Sequence, residues 1–385
     1  MCALGYQGIA CTVPAPGYGM SDTTAFSFSR CPSSRLEWMF QLAYVLGRDI
    51  LIYAVAVTGA YRARKGKKRS SVLLNQAMSF GTVAATCFMA VMETRTFASI
   101  REGIRNGLYG VGLLVDAVQG QDSGGISTGC LAAYVGFAPN LLLAHTMRSV
   151  MPLLLVIGGC LVDPWLSLVV GTNCFLPAFC GYFGRYLLAY RVTPTGPLQL
   201  DNLPQGSVLA PLAVVSMIAA CFCGAVWLWG WAASSKAKPL PIHVVYLASS
   251  YKEEYASWET ERLVRKMSLS LVRTVFPVTL VPGLQLGSIA IILAVSSFLY
   301  ATMQPYKEPA FNLLESGLLL SALIMTMLSD CVVSEDDNVW ASNEATQMCM
   351  LSMVVALATM GTAIMIALVA RSMYREQTQK EEDAT

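Results

Sequence analysis

The chain has 385 residues, of which 55% are hydrophobic and only 13% charged, with a formal net charge of +2. A soluble domain is about 25% charged, so this composition cannot cover its own surface in water. The near-balanced charge excludes a protein that holds nucleic acid by a broad basic field.

A bilayer removes the surface problem, and helices are the spanning elements that satisfy their own backbone. The expected fold is an all-α polytopic membrane protein with about nine transmembrane helices, roughly eight to ten if one span is re-entrant. In chain order, residues 1–38 form a short extracellular, cysteine-bearing stub. The predicted spans are 39–61, 72–92, 146–170, 171–190, 208–231, 268–281, 284–303, 311–328 and 348–370. They group into a first bundle, 39–233, and a second, 268–370, joined by a cytoplasmic segment, 234–267. Residues 93–145 are polar and glycine-rich in their first part and are placed outside, Pro282–Gly283 is a turn signal between two spans, and 371–385 is a cytoplasmic tail.

Basic residues in short loops set the orientation. The block at 62–69 (RARKGKKR) belongs to the cytoplasm, as do Lys236, Lys238, Lys252, Arg262, Arg265, Lys266, Lys307, Arg371 and Arg375. The loop at 334–337 is acidic and suits the outside. The N-terminus is then extracellular and the C-terminus cytoplasmic, with the plasma membrane the expected location. The first residues carry no basic n-region or apolar h-region. Targeting is expected from the first span, or from a longer chain of which this is the C-terminal part.

There are 12 cysteines. Cys87, Cys160, Cys174, Cys180, Cys221, Cys223 and Cys349 lie in apolar runs and read as packed thiols. Cys2, Cys11, Cys31, Cys130 and Cys331 lie in polar segments and can form disulfides where those face an oxidising compartment.

Ionisable groups inside spans are costly and point to function by default. Here they are Arg48, Asp49, Asp163, Arg185, Arg273 and Glu315. Asn312 and Glu315 lie one turn apart on one helix face, and Arg273 is a candidate partner for Glu315 across helices or for a lipid phosphate. Asp163 precedes Pro164, whose missing donor opens a helix locally. Glu315, Asn312, Asp163 and Arg273 are therefore the candidates for an ion pathway, against the plainer reading of interhelical packing. Over 243–266, Leu247, Tyr251, Tyr255, Trp258 and Arg262 recur at helical spacing, and Glu261 and Arg265 form an i,i+4 pair. This predicts one helix lying on the inner leaflet, with Tyr251, Tyr255, Trp258, Arg262, Arg265 and Lys266 at the level of the headgroups. It acts either as a gating lever or as an anchor.

Residues 2–11 read CALGYQGIAC, with glycines at 5 and 8 and Tyr6 between them. Beside this stand Cys31–Pro32, Val72–Leu73–Leu74–Asn75–Gln76, Cys130–Leu131 and Met151–Pro152–Leu153. Further on come Tyr246, Tyr251, Trp258–Glu259, Arg265–Lys266, Gln304–Pro305–Tyr306, Asn312 and Leu314–Glu315. The pattern resembles protist surface proteins of the alveolate and oomycete type. In these an EGF-like or ephrin-receptor-like cysteine-rich ectodomain precedes a polytopic membrane domain similar to transient-receptor-potential channels. The resemblance implies a Cys2–Cys11 disulfide closing an EGF-like loop, and ion transport through the bundle. Pro14 and Phe28 stand where that pattern has cysteines.

Catalytic signatures are few. Residues 122–125 (DSGG) look like the nucleophile segment of trypsin-like proteases, but the two histidines, His145 and His243, both follow it, whereas that fold places its base upstream. No phosphate-binding loop or paired-histidine zinc motif is present. The expectation is a non-enzyme without cofactor or metal. Lipid is the expected partner, with inorganic cations and a second copy of the chain as candidates and no nucleic acid. The function expected is a channel-like or transporter-like cation pathway. The alternative is a receptor or adhesion protein whose helices anchor an EGF-like ectodomain.

Overall fold

The computed structural model describes residues 6–7, 13–20, 28–63, 69–92, 127–134, 141–187, 189–190, 199–200, 224–226, 228–229, 241–277, 281–333 and 344–382. The proposed Cys2–Cys11 pair, the 122–125 segment, most of the 208–231 span and the acidic loop lie outside these residues. The described chain is mostly helical. Its few strands pair as three short antiparallel hairpins, of which β3 (Tyr18–Met20) and β4 (Phe28–Arg30) form the longest. Contacts divide the chain into two compact units.

The first unit comprises Met1–Val57, Asp122–Trp231 and Ser270–Leu280. Helix α1 (Arg35–Ala63) begins at a capping box. Glu37 N–H donates to Ser34 Oγ at 3.2 Å, and Glu37 Oε2 accepts from Ser33 N–H at 2.8 Å. Its two intramembrane charges pair with each other, Arg48 Nη2 to Asp49 Oδ1 at 2.9 Å. Helix α3 (Thr128–Tyr134) holds Cys130, which is joined to Cys31 in a disulfide with Cα atoms 5.5 Å apart. Gly19 of β3 backs onto Ser127 and Cys130 with no room for a Cβ. Loss of a crosslink closing a loop of this length removes about 2–4 kcal/mol. Cys130→Ser is therefore expected to lower the thermal midpoint in detergent, and a midpoint indifferent to both reductant and this substitution would count against the bond.

Helices α4 (Leu141–Cys160) and α5 (Pro164–Gly184) correct one expectation. The break falls at residues 161–163, not between 170 and 171. Pro164 is tolerated in the first turn of a helix, and Asp163 caps α5 by accepting from Leu166 N–H at 3.1 Å. The hairpin closes tightly because Gly171 meets Val156, and Gly159 meets Tyr53 and Ser167. Ser167 Oγ donates to Val156 O at 2.7 Å, and Arg148 Nε donates to the Tyr182 hydroxyl at 3.0 Å. Later in this unit, Gly181 and Gly184 let Ser270, Leu271 and Thr274 approach α5.

The second unit comprises Thr58–Gln121, Ala232–Leu269 and Val281–Thr385. It contains α2 (Arg69–Met92), α6 (Ile242–Ala248), α8 (Pro282–Met303), α9 (Pro309–Val333) and α10 (Glu344–Glu382), with the first part of α7 (Glu259–Val275). The sequence grouped α2 with the first bundle, but its packing partners are α9 and α10. The centre of the unit is α9, flanked by α8, α2 and α10. The expected tail is helical as far as Glu382. The predicted span 268–281 is the second part of α7, a 17-residue amphipathic helix, and Pro282 begins α8 instead of sitting in a turn between spans.

Polarity along these helices is reversed from that of a soluble protein. On α9, Asn312, Glu315, Thr326 and Ser329 face inward, while Leu313 is 78% and Met327 59% exposed. On α8, Gln285 and Ser296 are buried, and Ile291, Val295 and Phe298 face out. A helix that turns apolar residues outward and polar ones inward suits lipid and not water. Among the described residues five helices are long and apolar enough to cross a membrane, within α1, α8, α9, α10 and Pro164–Leu187, and two shorter apolar stretches lie in α2 and α4.

Candidate functional site: a buried ion-pair network in the second unit

The network is assembled from a break, a turn and three helices. After α6 the chain does not continue as the single helix expected over 243–266. It opens at 249–258, because Tyr251 pairs with Tyr306 as an isolated antiparallel bridge. Lys252 N–H donates to Pro305 O at 2.9 Å, and Lys307 N–H donates to Ser250 O at 3.1 Å. The Tyr306 stretch is the α8–α9 turn. It starts at Gln304, which ends α8 in the left-handed region at φ 45°, and Pro305 prevents the helix from continuing. Asn312 then clamps the turn: its Oδ1 accepts from Tyr306 N–H at 2.9 Å and its Nδ2 donates to Tyr306 O at 3.0 Å. The two rings stack at 5.0 Å.

On this platform α7 presents its charges inward. The Tyr251 hydroxyl donates to Glu259 Oε2 at 2.7 Å, and Arg262 Nη1 lies 3.4 Å from that oxygen. One turn on, Arg265 Nη2 donates to Glu315 Oε1 on α9 at 2.7 Å, with side chains only 1% and 2% exposed. The Arg265 guanidinium lies 5.3 Å from the centre of the Tyr300 ring. The expected Glu261–Arg265 pair is present at 3.8 Å, and Ser296 Oγ donates to Glu261 Oε1 at 2.8 Å. Trp258 packs edge-on against Tyr300 and Tyr255.

Two expectations are corrected by this geometry. The residue that meets Glu315 is Arg265 and not Arg273. Arg273 is buried in the last turn of α7 and is counted in the first unit. Tyr251, Arg262, Arg265 and Lys266 are buried in protein instead of lying among headgroups, and Tyr255 and Trp258 are half-buried. Their periodicity was genuine, but the stripe packs on α8 and α9, where the counter-charge is. The helix opening expected at Asp163–Pro164 is present, with Asp163 as the N-cap of α5 in the first unit. The structure brings together Glu315, Asn312, Tyr251, Trp258, Arg262 and Arg265. Sequence reasoning missed Tyr300, Ser296 and the role of Glu259. Tyr300 and Ser296 sit in an apolar run with nothing local to mark them, whereas Glu259 stood in the resembled pattern.

Burial pushes both phenols above their ordinary value, and for Tyr251 the nearby Glu259 charge pushes further. For Tyr306 burial prevails over the opposing charge of Arg262. An acid whose folded pKa is raised stabilises the fold fully below its unfolded pKa, about 10 for tyrosine. That contribution is lost as pH climbs beyond this value. Alkaline titration followed by ultraviolet absorbance is expected to ionise these two tyrosines late and together with loss of structure, and Tyr251→Phe is expected to delete part of the late phase.

Chemically the cluster is a charge-paired lock. Among the described residues no group of three or more His, Cys, Asp or Glu side chains is gathered to hold a metal ion. No known family, curated protein or solved structure matches this chain.

Proposed function

We propose that the chain is a multi-pass membrane protein of channel-like or transporter-like type, in which the Arg265–Glu315 pair holds a cation pathway shut. The observation that carries this reading is the pair itself: a carboxylate and a guanidinium 2.7 Å apart, almost wholly buried, with the carboxylate on a helix whose outer face is apolar. Ionisable groups in such positions are expensive to keep, and where they occur they commonly mark a pathway or a switch. Arg265 already neutralises the Glu315 carboxylate, so admitting a cation there requires α7 to withdraw. The Tyr251–Tyr306 bridge links the segment ahead of α7 to the α8–α9 turn, which gives such a movement something to pull on. In this reading the N-terminus is extracellular, the C-terminus cytoplasmic and the membrane the plasma membrane.

The test is cation flux through liposomes carrying wild-type protein or Glu315→Gln. The neutral amide releases Arg265, and flux is expected to change by about tenfold, the equivalent of roughly 1.4 kcal/mol. A variant that folds, reaches the membrane and conducts as wild type does removes Glu315 from the pathway. The Cys31–Cys130 disulfide favours a second reading, a receptor whose oxidised outer part senses a ligand while the helices anchor it. Liposomes of wild type and of Glu315→Gln that are both silent to every common cation would support that one.

A further inference from the structure

A cavity of about 10 Å³ lies inside the second unit, lined by Gln76 and Ser79 of α2, Arg265 of α7, Glu315 of α9 and a mostly apolar remainder. Gln76, Arg265 and Glu315 are each no more than 2% exposed. Each commits one end to protein. Gln76 Nε2 donates to Phe311 O at 3.1 Å, and Arg265 Nη2 donates to Glu315 Oε1 at 2.7 Å. The other ends, Gln76 Oε1, Arg265 Nη1 and Glu315 Oε2, have no protein hydrogen-bond partner. These are two acceptors and one donor on three residues that line one small space, while the other free nitrogen, Arg265 Nε, lies 3.8 Å from Glu261 Oε1. Their complement is a molecule offering two protons and one lone pair. A buried water needs roughly 10–15 Å³ and makes about three hydrogen bonds. A metal ion would face the Arg265 charge in the same wall, and an apolar occupant would leave three buried polar atoms unmet.

We propose that one ordered water occupies this cavity, accepting from Arg265 Nη1 and donating to Gln76 Oε1 and Glu315 Oε2. It ties α2 to the α7–α9 ion pair and stands whether or not the protein conducts. Electron cryomicroscopy of the full chain in lipid nanodiscs, at a resolution that reveals ordered water, tests it in sodium chloride and in choline chloride. The expected result is one peak at about 3 Å from all three atoms in both salts. Absence of the peak overturns the proposal, and so does a peak seen only with sodium, which would make the site an ion site. Gln76→Leu is expected to lose the peak and keep the Arg265–Glu315 contact, and a peak that persists there also overturns it. If that variant does not fold, the two wild-type maps decide.

Discussion

Arg265→Met is expected to destabilise the protein by about 3–5 kcal/mol, because it leaves the Glu315 carboxylate charged and alone in the interior. Glu315 is 1% exposed, and among the described residues the hydrogen bond its side chain makes to protein comes from Arg265. The substitution also removes the cation from the face of Tyr300 and the partner of Glu261. Adding Glu315→Leu to Arg265→Met is expected to restore most of the loss, since a buried pair replaced by apolar groups is often neutral or better. Unfolding of the four proteins of this cycle in a detergent titration gives the coupling directly. Additive losses would mean that the two side chains do not depend on each other, and the lock would not exist.

Asn312→Leu is the second large effect, expected at about 2–4 kcal/mol. The amide satisfies both the N–H and the carbonyl of Tyr306, a residue with no exposed surface. Leucine fills the same volume but strands two backbone groups where water does not reach. The damage should spread beyond the turn, because Lys252 N–H donates to Pro305 O and Lys307 N–H donates to Ser250 O, which ties the turn to the segment leading into α7. Hydrogen exchange is expected to rise at residues 250–252 as well as at 304–307. An increase confined to the turn would show that the two segments are not mechanically joined.

Much of the helical plan was legible in the sequence because hydrocarbon thickness sets span length and apolar runs obey it. The runs behind α1, α2, α8 and α9 stand out for that reason. Boundaries were less legible where proline has two meanings. Pro282 and Pro164 can each end a segment or open one, and here both occupy the first turn of a helix. The ion-pair network was half legible. Asn312 and Glu315 announce one polar face by their spacing, and Arg262 and Arg265 announce another. That the two faces meet depends on how α7 packs against α9, and spacing along one helix carries no information about that. The same gap explains why aromatic and basic residues at 251–266 read as a lipid-facing band. Headgroups and a buried carboxylate ask for the same side chains.

The bend between α4 and α5 spans only residues 161–163, and Leu161 and Val162 are 87% and 80% exposed there. Two greasy side chains thrust outward at a tight corner sit badly in bulk water and suit an apolar surrounding. Asp163, the sole charge at the corner, already accepts a backbone proton from Leu166. The corner therefore presents little unmet charge, the electrical condition under which two joined helices can cross into a bilayer as one piece.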